Sequence, residues 1–532
     1  MKENSDFKSI NINQLKQEDF LLLENHEFRL DCLQLNLHQG ETEIRPDPGQ
    51  SNSDLPKEVL SLMNKNGFQK EFISHGKISC VCPFTGEMLY SDTGIPYLFP
   101  PTQIFFRFNS REPFYLITGF YTGEKIALYF PSSEILITNL HPHIVKGLEY
   151  SLNCWRSYAI RNAKKLDIFF AKDKKASKRV LTLTEPHLGH HLWNKLSGIY
   201  QIHEWNQLED IDEFFVVHQP LGKLEDIFPE IPLYKIRSVC SFNEDYVDSF
   251  IENNYLPTIY GFNFVKQDLA NRVYRASLKK CSPVVIQEIE DAKKQHFPLL
   301  WVNIRTGSRS WISQIEGTAN IINKLFEKFP NLGIVFDGTS RLEEQSKDFS
   351  SSTLEAEIQV LHEIENLIQK PIQTYNLIGR IIYENLVWVK NIDLYLSHWG
   401  NGLTKPVLIA NKPGVAHCNQ LPLKAPVTER WISWHRENCI LPTYISSDRI
   451  QDVPDLSCDA RRPIDNNYDV DWQIMYQELL KVIPQCERYH SQMEAYYKSR
   501  LEAIKANLES SRFRLTEIRR NLSDNLKELE NL

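Results

Sequence analysis

Between residues 178 and 417 the sequence alternates, twice over, between short β-branched runs and helix-period stretches, and nothing else in the chain constrains the fold so tightly. "KRVLTLTEPHLGHHLWNKLSGIYQI" opens the first series and is followed by "EFFVVHQ", helix-like segments over 223–255 and a charged helix near 284–296. "PLLWVNIRTGSRSW" opens the second, with "INKLFEKF", "LGIVFDG", a long helix near 353–369, "TYNLIG", "IIYENLVWVKN", "DLYLSHWGNG" and "PGVAH" after it. Strands alternating with helices imply βαβ units, since parallel neighbours need a long crossover, and two series imply two doubly wound Rossmann-like domains. The break between them falls near 290–298. The expected class is α/β with domains at 143–292 and 293–445, preceded by an irregular arm over 1–70 and a small β-rich domain over 71–142. A linker and C-terminal helix or coiled coil over 446–532 complete the chain.

The flanks read differently. Residues 1–70 are polar and include the turn-rich "RPDPGQSNSDLP", whereas "KISCVCPF", "IFFRFN", "FYLITGFY", "KIALYFP" and "EILITNL" are short strands separated by turn signals. A helix over 143–164 leads into the first parallel series. From Leu501 the a and d places of a heptad are Leu501, Ile504, Leu508, Ser511, Leu515, Ile518, Leu522, Asn525, Leu529 and Leu532, eight of the ten aliphatic. That repeat suits a coiled coil that makes a homo-oligomer through 490–532, or a long helix packed back on its own chain.

At 532 residues the chain needs several cores, and 42% hydrophobic content supplies them. A formal charge of −8 gives no cationic field for sequence-independent nucleic-acid binding. The start carries no basic region followed by an apolar core, and no apolar run reaches the roughly 20 residues that a membrane span needs. A cytoplasmic protein is therefore expected, with peripheral membrane contact left open. Ten scattered cysteines, Cys80 and Cys82 the close pair, lack further ligands at zinc spacing and read as reduced thiols.

In open parallel sheets ligands bind beyond the carboxyl ends of the strands, so the loops there are the places to look. After the first strand, Leu192, Leu196, Ile199 and Tyr200 form a helical apolar stripe; His190, Asn194 and Ser197 then fall on the far side, with His191 also turned away. A histidine in a helix's first turn is kept neutral by the positive end of the backbone dipole, and a neutral imidazole can take a proton. His190 or His191 is thus a candidate general base, with Glu185 as a rival carboxylate base or ring-orienting partner; helix capping is the structural alternative. In "NIRTGSRSW", Arg305 and Arg309 flank Gly307 and offer two guanidinium forks suited to a diphosphate, or else to surface ion pairs. In "LSHWGNGLTKP", Gly400, Asn401 and Gly402 place backbone N–H groups at a helix start, where His398, Thr404 and Lys405 add hydrogen bonds or charge. Gly379 with Arg380, and Asp337 with Gly338, end neighbouring strands. The P-loop spacing is absent, which disfavours ATP or GTP hydrolysis.

Taken together, "TLTEPHLGHHLWN" and the half from "YNLIGRIIYENLVWVKN" to "PGVAH" resemble a glycosyltransferase of the two-Rossmann, GT-B architecture over roughly residues 175–440. The resemblance implies two domains facing a cleft, a nucleotide-sugar on the second domain and a hydroxyl acceptor (glycan, lipid-linked glycan or protein) on the first. By position it implies that Arg305, Arg309, Gly400, Asn401, Gly402 and Lys405 hold the diphosphate, that Gly379 and Arg380 lie near the nucleoside, and that His190 or His191 deprotonates the acceptor. The Glu-x7-Glu pattern and Glu-Gly-Phe-Gly-like turn of retaining members are missing, so an inverting transfer is expected. No Asp-x-Asp lies in the site-bearing loops, so no metal and no cofactor beyond the donor is expected. Two rivals remain: a nucleotide-sugar epimerase, which needs paired carboxylates from among Glu185, Asp337 and Glu384, and a non-catalytic scaffold with a coiled-coil interaction segment.

Overall fold

The computed structural model describes residues 7–37, 67–97, 103–119, 121, 123–171, 177–239, 244–343, 345–346, 348–424, 436–454 and 463–530. The turn-rich "RPDPGQSNSDLP" lies outside them. The first sheet holds β1 (Lys8–Asn11) and, beyond a separate hairpin of β2 (Ile78–Val81) and β3 (Met88–Ser91), five more strands: β4 (Gly94–Tyr97), β5 (Gln103–Phe108), β6 (Phe114–Gly119), β7 (Glu124–Phe130) and β8 (Ile135–Thr138). Its order is β1-β8-β7-β6-β5-β4, antiparallel except that β1 lies parallel on β8. The expected irregular arm is therefore corrected in its described part: residues 8–11 are an edge strand, and helices Gln17–Asn25 and Leu30–Leu37 follow it. A four-residue edge strand with one fully buried position gives no period to read. The sheet's other face is covered by helix Pro142–Arg161, whose Trp155 stacks on Phe105 at 4.9 Å while Leu148 and Leu152 join the same apolar cluster. That helix belongs to the β-rich unit, past the expected boundary at 142.

Two parallel sheets follow. The smaller contains β9 (Lys178–Leu183), β10 (Glu213–Val216), β11 (Ile236–Ser238) and β12 (Tyr255–Thr258) in the order β11-β10-β9-β12. The larger contains β13 (Leu299–Asn303), β14 (Gly333–Asp337), β15 (Gln373–Asn376), β16 (Leu394–His398), β17 (Gly414–His417) and β18 (Thr443–Tyr444) in the order β15-β14-β13-β16-β17-β18. Each sheet starts in its middle and grows outward first one way and then the other. The strand order thus reverses between β9 and β12 and between β13 and β16, where a crevice opens beyond the strand ends.

One apolar cluster crosses between the two parallel domains: Leu192, Leu196 and Ile199 from the first pack with Ile382, Leu386, Leu408 and Ile409 from the second. Arg436, 1% exposed, ties the domains again by donating to the Leu408 carbonyl (3.0 Å) and to Gln267 Oε1 (2.8 Å). The C-terminal helix, Trp472–Glu530, docks its start on the second domain through Met475, Tyr476, Leu479, Val482, Ile483 and Cys486. Residues 498–523 of the same helix are exposed at every position, so this stretch does not fold back on the chain.

Gly123 seats the β-rich unit on the first parallel domain. Its φ of +75° is left-handed, and a Cβ there would lie 1.8 Å from the Ile259 carbonyl oxygen just beyond β12. Gly123→Ala is expected to destabilise the protein by roughly 2–4 kcal/mol through left-handed strain plus a backbone clash. An unchanged denaturant midpoint would show that the junction yields freely.

Candidate functional site

The two crevices open on one cavity of about 290 Å³. His187, Gly189, His190 and Trp193 line it from the first domain; Arg309, Trp399, Gly400, Asn401, Leu403, Thr404, Val407 and Leu408 line it from the second, with Ile464 at the rim. No carboxylate is among these lining residues. Contact is close enough that a Cβ on Gly189 would stand 2.9 Å from Asn401 Oδ1 and 3.2 Å from Thr404 Oγ1. The Asn401 amide also donates across the gap to His187 Nε2 at 3.2 Å.

On the first side, residues 188–204 form one uninterrupted helix whose middle, His191–Leu196, is π-wound. The helix is buried on both sides, contrary to a single apolar stripe, because the β-rich unit covers its back: Tyr121 stacks on His190 at 3.5 Å, and Lys195 Nζ donates to the Tyr121 carbonyl at 2.9 Å. His190 Nδ1 lies 2.9 Å from Asn194 Oδ1 and 2.9 Å from Trp193 Nε1. These contacts demand opposite tautomers of a neutral ring: the indole N–H needs a bare Nδ1, whereas Asn194 Oδ1 needs Nδ1–H. Asn194 Nδ2 donates to Asn263 Oδ1, which turns Oδ1 toward the histidine.

His191 is corrected as a base candidate. It is 1% exposed, absent from the cavity wall, and burial pushes its ring down to about 3. Glu185 likewise does not reach the cavity; its Oε1 accepts from the His187 backbone N–H at 3.0 Å, and burial raises its carboxyl above the usual range. Beside it, Lys195 is pushed down to about 7 by burial, opposed by the charge of Glu185. Asn194 sits behind His190, and Ser197 is buried too.

On the second side, Arg305 follows β13 and His398 ends β16, so both stand at the strand-order reversal. Arg305 donates to His398 Nε2 at 3.0 Å and to the Ser308 carbonyl at 2.7 Å. Burial and then the neighbouring Arg309 hold its guanidinium down to about 10. Burial, then Arg305, His417 and Arg309, push His398 well below the ordinary imidazole range. Arg309 reaches the cavity from a left-handed backbone (φ +60°), and its buried Nε has no hydrogen-bond partner among the described residues. Gly400 (φ +95°) opens the turn opposite it, and a Cβ on Gly402 would strike Ser397 Oγ at 2.6 Å and His398 Cε1 at 2.7 Å.

Arg305, His398 and Gly402 are themselves not among the lining residues, and further second-domain expectations are corrected. Lys405 does not line the cavity but is buried in a pair with Asp337 Oδ1 at 2.5 Å and donates to Ser340 Oγ at 2.8 Å. Asp337 also accepts from Asn303 and Asn385, so it is consumed by the same network. Arg380, next to Gly379, makes a two-pronged pair with Glu288 at 2.8 and 3.2 Å, and neither residue lines the cavity. Sequence reading passed over His187, Trp193, Trp399 and Tyr121. The first three stand inside the quoted loops, where position after a strand was a usable signal; Tyr121 belongs to another domain and carried none.

No family model matches the chain, and no curated protein does. Among solved structures it is similar to a family 9 glycosyl transferase from Veillonella parvula DSM 2008, with 10% identity over 59% of this chain and 99% of that one and a TM-score of 0.30. It is also similar to S. aureus MnaA with UDP (14% identity, 45% of this chain and 78% of that one, TM-score 0.22). A third is Anabaena HepE in complex with UDP and glucose (11% identity, 60% and 99%, TM-score 0.21). Likeness at such TM-scores decides nothing about activity, which must be read from the residues at the cavity.

Cutting one half of the buried Lys405–Asp337 pair strands a charge, so Lys405→Met is expected to cost about 3–5 kcal/mol in denaturant unfolding, with partial recovery in Lys405→Met/Asp337→Leu. No recovery would mean that the ion pair is not what the lysine contributes.

His191 and His417 are both held neutral by burial at about 3. Below pH ~6.5 the unfolded chain binds protons that the folded chain refuses, so this stability is complete above about 6.5 and drains toward pH 3. Each ring should account for about 2 kcal/mol of loss between pH 7.5 and 5. Denaturant midpoints that stay flat over that range would contradict both assignments.

Proposed function

We propose that the chain is a GT-B-type glycosyltransferase that moves a sugar from a nucleoside-diphosphate sugar to a hydroxyl acceptor, with inversion and without a metal. The observation that carries this reading is the single cavity where His190 from one domain faces Arg309 and the Gly400–Asn401 turn from the other, with no carboxylate among its lining residues.

The acceptor oxygen attacks the anomeric carbon, the bond from that carbon to the diphosphate oxygen breaks, and the acceptor proton passes to His190 Nε2. Of the two tautomers, the one that gives Nδ1–H to Asn194 Oδ1, at the expense of the Trp193 indole contact, leaves Nε2 as the basic atom, so Asn194, held by Asn263, is a positioning residue. The departing diphosphate takes the negative charge to Arg309, with Arg305 behind it, and to the first backbone N–H groups of the 401–409 helix. Cationic side chains fill the charge-neutralising role that a bridging metal has elsewhere. Trp193 and Trp399 offer apolar faces to the sugar rings. Against an epimerase, Glu185 is buried behind the loop, Asp337 is held by Lys405 and Glu384 is not among the cavity's lining residues.

The test pairs nucleotide binding with turnover. A nucleoside diphosphate should raise the melting temperature of the protein, Arg309→Ala should weaken the diphosphate roughly 10–100-fold while sparing the nucleoside, and His190→Ala should lower kcat about 10²–10⁴-fold with donor affinity kept. Conversion of donor without acceptor would favour the epimerase; full turnover by His190→Ala would remove the base.

A further inference from the structure

The exposed stretch of the C-terminal helix is chemically unlike the rest of the chain. Residues 498–523 carry seven Lys and Arg against three Glu, a net of +4, in a chain whose formal net charge is −8. Leu501, Ile504, Leu508, Leu515, Ile518 and Leu522 are each about half exposed or more. At 3.6 residues per turn these six fall within about 100° of arc, one continuous apolar stripe. Lys505, Arg512 and Arg519 border it on one side, and Arg500 and Arg514 on the other; Glu502, Glu509 and Glu517 lie round the back, with Phe513. Lys505 pairs with Glu502 at 3.2 Å on the solvent side, a contact of little energetic weight.

The borders decide what can cover the stripe. In a two-stranded coiled coil the residues flanking the a and d seam meet their counterparts on the partner, and a second copy would set Arg514 against Arg519 in parallel register, or like flank against like when antiparallel. The glutamates sit too far round the helix to relieve this, and Ser511 leaves a gap in the seam. An anionic lipid surface has the opposite properties: it accepts the apolar stripe into the acyl boundary while Lys and Arg stems reach out to headgroup phosphates on both sides. We propose that residues 498–523 form a surface-lying helix that docks the protein on anionic lipid bilayers. The assignment is independent of the transfer reaction proposed for the cavity.

The full chain should co-sediment with vesicles of equimolar phosphatidylcholine and phosphatidylglycerol, not with phosphatidylcholine alone, and molar salt should weaken the binding. Arg512→Gln/Arg514→Gln/Arg519→Gln should lower partitioning roughly 100-fold, and Leu508→Glu/Leu515→Glu should abolish it. Because these side chains are exposed, both variants should melt as the parent does. The proposal is overturned if no anionic-vesicle binding occurs, if it survives Leu508→Glu/Leu515→Glu, or if neutral vesicles bind equally. It is also overturned if sedimentation velocity shows a dimer that those substitutions dissociate while vesicles are ignored.

Discussion

Everything at the cavity depends on how closely the two parallel domains meet. Gly189 has no side chain, and Asn401 and Thr404 occupy the space one would fill. Behind that contact a single apolar cluster, with Leu192 and Leu196 on one side and Leu408 and Ile409 on the other, holds the domains at a fixed separation. The loops after β9, β13 and β16 are then forced to share one cavity, where their groups act at close range. A looser junction would leave the same residues as separate surface loops. The β-rich unit adds a third wall from behind, since Tyr121 stacks on the ring that faces the cavity.

Cations in the second domain sort into two kinds. Lys405 and Arg380 are matched by Asp337 and Glu288 and hold the scaffold together. Arg305 is met by an imidazole nitrogen and a carbonyl, with the charges of Glu357 and Asp465 also acting on it, and the buried Nε of Arg309 has no hydrogen-bond partner among the described residues. The same field acts on the histidines: burial first, and then the two arginines, lower His187 and His398. One arrangement thereby serves two needs, an attractive potential for an anion and a set of imidazoles that stay neutral near pH 7.

The alternation that betrays parallel sheets was legible because crossover helices and buried strands have different periods, and the loops at their ends followed from topology alone. What stayed hidden depends on distant partners. Lys405 and Arg309 look alike as loop cations, and only the fold sets Asp337 beside one and open space beside the other. His191 looks as exposed as His190 until the fold buries it near Glu185, Lys195 and His218. The strand at 8–11 gains its identity from β8, more than a hundred residues away.

Helical phase found the buried stripe of Leu192, Leu196 and Ile199, and what it left out at this segment is the burial of the opposite face, where Asn194 and Ser197 are buried too. Both walls of the cavity carry π-wound turns, His191–Leu196 and Thr404–Ile409. In the second, Pro406 has no N–H to give, and the widened turn closes instead with the Ala410 N–H on the Lys405 carbonyl at 3.0 Å. In the first, Ser197 Oγ donates back to the Leu192 carbonyl at 3.0 Å. A π turn takes up an extra residue, so side chains beyond it are rotated from where a 3.6-residue period puts them. Trp193 and Asn194 gather around His190 on one wall, and Thr404, Val407 and Leu408 line the cavity on the other. Both domains thus present their groups to a common space from widened helical turns.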